Sequence, residues 1–258
     1  MILTSDRKRV GNATALWIPS ATGSSYSGPT IRGTAAKAIG AGVGSYSYAP
    51  ADFDVAPVTG DTVLVFEAWR VDEKIGYQGD WDHRGGAPFV SIISTAAGGT
   101  GDPFRMMVCP MQAATGDTYS KTGITNCFGQ ASIAIAVTGC LQTYTPFPAM
   151  ADTDGAFTNL ARQAADSSPS TTGTTTPNLA NDLFFLFAVN WGNASPGAPT
   201  SIPSGMTLTK ELASSAFESK TLDVWSQGLA TATATGTRTF SFSGGGTVST
   251  AAALVRKA

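Results

Sequence analysis

Charge is what this sequence has least of. Asp, Glu, Lys and Arg make up 13% of its 258 residues, against about 25% in an ordinary soluble domain. Helices that face water need charged faces, and 29 Gly with 34 Thr weigh further against them. A helical protein is therefore excluded. Histidine occurs once, as His83, and cysteine three times, as Cys109, Cys127 and Cys140, with no Cys-x-x-Cys pair. A four-ligand zinc site lacks material, a Ser-His-Asp triad has a single base to draw on, and the odd cysteine count reads as reduced, buried thiols. There is no Gly-x-Ser-x-Gly elbow and no glycine-rich phosphate loop ending in Lys-Ser/Thr. No apolar run approaches the ~18 residues of a membrane span. Met1-Ile2-Leu3 followed by Arg7-Lys8-Arg9 is the reverse of a secretory signal. A net charge of −2 and an isoelectric point near 5.3 remove nucleic-acid binding driven by overall basicity. The expectation is a non-enzymatic chain with no catalytic residues, no cofactor, no metal, and neither nucleic acid nor membrane as partner.

What is abundant is small. Ala, Gly, Ser and Thr account for 125 residues, 48% of the chain, while thirteen Phe, five Trp and six Tyr supply the mass of a core. Strands are expected at Thr62–Trp69, Pro88–Ser94, Phe104–Cys109, Ser132–Thr138, Leu183–Trp191, Met206–Leu212, Leu222–Gln227, Arg238–Ser243 and Ala251–Val255. The best short helical candidate, Thr158–Ala165, has room for two turns at most. Residues 1–50 carry few apolar clusters and read as an extended N-terminal arm with one or two strands. Residues 141–177 are a loop-rich crossover ending in a Ser/Thr/Pro tract.

The two sides of that crossover correspond. Gly60-Asp61 before one apolar strand matches Asn181-Asp182 before another, an offset of 121 (182 − 61). Thr115-Gly116-Asp117 matches Thr235-Gly236-Thr237 at 120 (235 − 115), and the strand from Ile133 matches that from Ala251 at 118 (251 − 133). A repeat of this length is too long for a solenoid or a propeller blade. It suits two Greek-key halves, about 55–140 and 178–258, within one all-β sandwich spanning 51–258.

The second half in particular resembles the jelly-roll unit of structural proteins in tailed-bacteriophage virions. The resemblance is carried by Asn181-Asp182 with its long apolar strand, by the turn Pro203-Ser204-Gly205-Met206-Thr207-Leu208, and by the Thr-Gly-Thr stretch before the closing strand. Met206 stands where Trp is usual in that turn. Gly60-Asp61, Thr115-Gly116-Asp117 and a strand ending at Gly139 carry it in the first half. It covers residues 55–258 and implies a jelly-roll β-sandwich serving as a virion component. A capsid decoration (cement) protein on the outer capsid surface comes first; a tail, neck or fibre component comes second. The implied partners are the major capsid protein or other virion proteins, with a homo-oligomer, a trimer favoured, on the exterior of a particle made in the bacterial cytoplasm.

Two sets of residues are candidates for binding. Arg7, Lys8, Arg9 and Trp17 of the arm would contact an acidic capsid surface. Asp80, Trp81, Asp82 and His83 form the densest functional-looking loop, where Trp81 could stack on a host-surface glycan; alternating Asp beside Gly is more often a turn-former. Asp152-Thr153-Asp154-Gly155 opens like a calcium loop but lacks the downstream Glu. Glu67, inside the apolar strand, reads as an edge or interface charge. Trp69, Trp191 and Trp225 read as core or rim.

Overall fold

The computed structural model describes residues 25–40, 44–71, 81–82, 104–122, 127–140, 161–163, 180–192, 199–214, 220–232, 238, 241–242 and 246–258. Its elements are β1 (Thr30–Gly40), β2 (Tyr46–Tyr48), a 3-10 turn at Pro50–Asp52, β3 (Thr62–Val71), β4 (Trp81–Asp82), β5 (Phe104–Gln112), β6 (Tyr119–Lys121) and β7 (Cys127–Thr138). After these come β8 (Ala161–Gln163), β9 (Asp182–Gly192), β10 (Pro199–Ser201), β11 (Thr207–Ser214), β12 (Lys220–Leu229), β13 (Ser241–Phe242) and β14 (Gly246–Val255). All paired strands are antiparallel. The all-β expectation holds, and Ala161–Gln163, inside the short helical candidate, is a strand paired with β14. The expected strand at Pro88–Ser94 lies outside the described residues.

Each half of the chain supplies one sheet. The first has the order β1-β7-β3-β5 and the second β11-β12-β9-β14-β8. Strand for strand, β8-β14-β9-β12 repeats β1-β7-β3-β5, and the register repeats with it. Leu64 pairs with Ile135, and Phe185 with Ala253, offsets of 121 (185 − 64) and 118 (253 − 135). Phe66 pairs with Val108, and Phe187 with Val224. Even the entry turns agree: Gly60 and Asn181 both take the left-handed conformation, at φ 98° and 68°, before the buried Asp61 and Asp182. Gly and Asn are the residues that occupy this region at least cost.

The sheets pack face to face because strand alternation gives each an apolar side. Leu64, Phe66, Val108, Ile133, Ile135 and Val137 of the first sheet meet Phe185, Phe187, Val189, Leu222 and Val224 of the second in one cluster. Phe66 contacts both Phe185 and Phe187, each with ring centroids 5.5 Å apart. The other side of the first sheet is also buried. Val63, Val65, Trp69, Cys109, Met111, Ala134 and Ala136 form a second cluster with Tyr48, Phe53 and Tyr119, where the small sheet β2-β6-β4 adds a third layer.

The domain boundary expected at residue 50 moves. Thr30–Gly40, assigned to the arm, is a full strand paired with β7 along its length, and Tyr46–Tyr48 pairs with β6. Ala35, Ala36 and Ala38 are too small to signal a strand by hydrophobicity, yet short side chains are what a strand in a crowded layer needs. Close packing is visible at Gly33, where a β-carbon would lie 2.0 Å from the Val55 carbonyl oxygen, beside the bulge between Ile31 and Gly33. Tyr26 precedes β1 with its ring against Gly228. Residues 1–24 lie outside the described residues.

Phe66→Ala removes the ring that both facing aromatics touch. A loss of about 3–5 kcal/mol is expected, read as a lowered midpoint in urea, with both sheets unfolding in the same transition.

Candidate functional site

Between the first sheet and the small sheet lies a seam of buried polar groups. Alternation puts Val63, Val65, Glu67 and Trp69 on the same side of β3, so a carboxylate interrupts an apolar row. Glu67 is fully buried, and so is Lys121 at the end of β6. The Lys121 ammonium donates to both Glu67 oxygens at 2.9 Å and lies 4.8 Å from the centre of the Trp69 ring. Gln130, also fully buried, donates from Nε2 to Glu67 Oε1 at 2.6 Å. Tyr46 Oη donates to the same oxygen at 3.0 Å. Ser132 Oγ lies 3.0 Å from Tyr46 Oη and 2.7 Å from Tyr48 Oη, and Tyr48 also donates to the Ser132 carbonyl at 2.7 Å. Burial, then the Glu67 charge, pushes the Tyr46 hydroxyl well above the usual tyrosine range; burial first does the same to Tyr48. Both are hydrogen-bonding phenols at neutral pH.

Reading Glu67 as an edge or interface charge is therefore corrected. It sits on a strand flanked by β5 and β7, and its charge is answered inside the protein by a lysine 54 positions away. A buried pair of this kind adds little net stability, but removing one partner strands the other at a cost of about 3–5 kcal/mol. Lys121, Gln130, Tyr46, Tyr48 and Ser132 escape the sequence reading. The one signal for them is Glu67 itself, a carboxylate in the middle of a row that must be buried and so must have a cation to meet.

Of the binding candidates, Arg7, Lys8, Arg9, Trp17, Asp80 and His83 lie outside the described residues, as does Asp152-Thr153-Asp154-Gly155. Trp81 and Asp82, expected in a loop, form β4 on the margin of the small sheet, where Trp81 pairs with Lys121 and Asp82 with Ser120. The position expected to meet a ligand is thus one strand from the polar seam. Cys109 and Cys140 are buried as expected, and burial pushes the Cys140 thiol up to about 12. Trp69 and Trp225 are core residues. Among the described residues no three His, Cys, Asp or Glu side chains gather to hold a metal ion, and no helix is long and apolar enough to cross a membrane.

Another buried carboxylate lies in the other sheet. Asp223 on β12 sits directly opposite Glu211 on β11 and Ala188 on β9. It is fully buried, and among the described residues neither of its oxygens has a hydrogen-bond partner. Burial first, and the Glu211 charge second, push its carboxyl up to about 8. No family profile, curated protein or solved structure matches this chain.

Asp223 sets a pH dependence whose sign follows from its raised value. The folded protein keeps the Asp223 proton that the unfolded chain releases near pH 4, so stability falls as pH rises from about 4 towards 8 and levels off above it. Asp223→Asn is expected to be the more stable protein at pH 8, by a few kcal/mol on the order set by linkage, with much of the gain gone at pH 5. Denaturant titrations at both pH values measure the difference; a gain that does not change with pH contradicts it.

Proposed function

We propose that this chain is a non-enzymatic structural protein of a bacteriophage virion, a decoration or cement protein on the outer capsid surface. The observation that carries the reading is the construction itself: two like sheets face to face, with a third layer over the first, made from a chain with 13% charged residues. Short, uncharged side chains lose little conformational entropy when a surface docks, so a part that must sit many times on a shell gains from them. Glu67 and Lys121 are fully buried against each other inside the seam, away from any external substrate.

In this reading the arm is residues 1–24, since β1 and the packing of Tyr26 on Gly228 hold the following residues to the sandwich. Arg7, Lys8, Arg9 and Trp17 would contact an acidic surface of a neighbouring major capsid protein. The second reading, a tail, neck or fibre component carrying a carbohydrate-binding receptor module, has in its favour that Trp81 and Asp82 lie on the margin strand β4.

Counting this protein against the major capsid protein in purified particles tests the choice. Decoration predicts a copy number fixed by the capsid lattice, with a trimer on lattice threefolds the favoured arrangement. A few copies in threefold or sixfold rings would move it to the tail, neck or fibres, and its absence from particles would end both readings.

A further inference from the structure

We propose that the seam forms an internal isopeptide bond, in which the Lys121 amine is joined to the side-chain carbonyl carbon of Gln130. The inference stands on the seam alone and goes beyond the virion reading. Lys121, Glu67 and Gln130 are all fully buried, and one atom links them. Glu67 Oε1 accepts from Lys121 Nζ at 2.9 Å and from Gln130 Nε2 at 2.6 Å. An amine and a primary carboxamide are thus held against the same carboxylate, with water excluded and the geometry fixed by β3, β6 and β7. Holding reacting groups in this way supplies much of what a slow amide exchange lacks in solution.

Gln130 carries a second sign. Among the described residues its buried Oε1 atom has no hydrogen-bond partner, and neither has the buried Nε1–H of Trp69. These residues are directly paired across β3 and β7, so an orphan acceptor and an orphan donor share one side of adjacent strands. Buried polar groups are rarely left unpaired. Negative charge on Oε1 during attack gives the Trp69 N–H a partner.

The steps balance without an oxidant, metal or further reactant. Glu67 takes a proton from the Lys121 ammonium, leaving a neutral amine. The nitrogen lone pair attacks Cδ of Gln130, and the carbonyl electrons move to Oε1. Glu67 gives the proton it took to Nε2 and then takes a second from Nζ, which carries a positive charge once the new bond has formed. The Cδ–Nε2 bond breaks, the Cδ–Nζ bond remains, and one ammonia leaves. Glu67 is the proton carrier and ends as a carboxylic acid, holding the second of the two protons that the Lys121 ammonium gives up. The product ties the small sheet to the first sheet through β6 and β7.

Mass spectrometry of the intact, full-length protein tests this directly. The wild type is expected to lack the mass of one ammonia, to resist tryptic cleavage after Lys121, and to keep its two fragments joined after chymotryptic cleavage at Phe128, which lies between the linked residues. Glu67→Gln and Lys121→Arg are expected to show their full masses. A wild-type protein of full mass, or fragments that separate after cleavage at Phe128, overturns the bond, and either result needs no variant to fold. Ammonia loss that persists in Glu67→Gln overturns the role given to Glu67.

Discussion

The packing of Phe66 between Phe185 and Phe187 is the contact on which the rest of this structure depends. Each half of the chain makes one sheet with one large apolar face, and the face that covers it belongs to the other half. By register, Phe66 and Phe187 occupy equivalent positions, so the sandwich core is two like surfaces meeting as the subunits of a symmetric dimer would. A sheet of this size left alone would expose Leu64, Phe66, Ile133 and Ile135 to water, and burial of such side chains is worth about 1.5–3 kcal/mol each. The halves are therefore interdependent even though their sequences differ.

The departures from that symmetry are where the chemistry lies. Position 67 carries a carboxylate, while its counterpart in the second sheet is Ala188. The first sheet accordingly has a third layer with a lysine to meet the charge, and Gln130, Ser132, Tyr46 and Tyr48 add hydrogen bonds around the pair. In the second sheet the buried Asp223, raised by burial and then by the Glu211 charge, keeps its proton instead. Two buried acids thus reach neutrality by different routes, one by pairing and one by protonation.

The strands with large alternating residues were legible from the sequence, because Val63 to Trp69 and Leu183 to Val189 are apolar enough to announce themselves. The duplication was legible through turns, since Gly60-Asp61 and Asn181-Asp182 mark the same left-handed entry. β1 was hidden by its alanines: a strand chosen by the open edge of β7 needs small side chains, and small side chains carry no periodic signal. The seam was hidden for a different reason. Glu67 is visible in the sequence, but its partners stand 54 and 63 positions further on, and nothing local connects them. Trp81 looked like a loop residue because its strand is two residues long and is defined by pairing with β6 alone.

The central claim is that two repeated halves form one cooperative sandwich, with neither sheet stable by itself. Native-state hydrogen exchange measures this most directly, by comparing the slowest amides of β3 and β7 with those of β9 and β14. The same opening free energy and the same denaturant dependence are expected for both sets, because the sheets can open fully only together. If one set exchanges through a separate, lower-energy opening while the other stays protected, the halves are independent domains and the shared aromatic core is not what holds them.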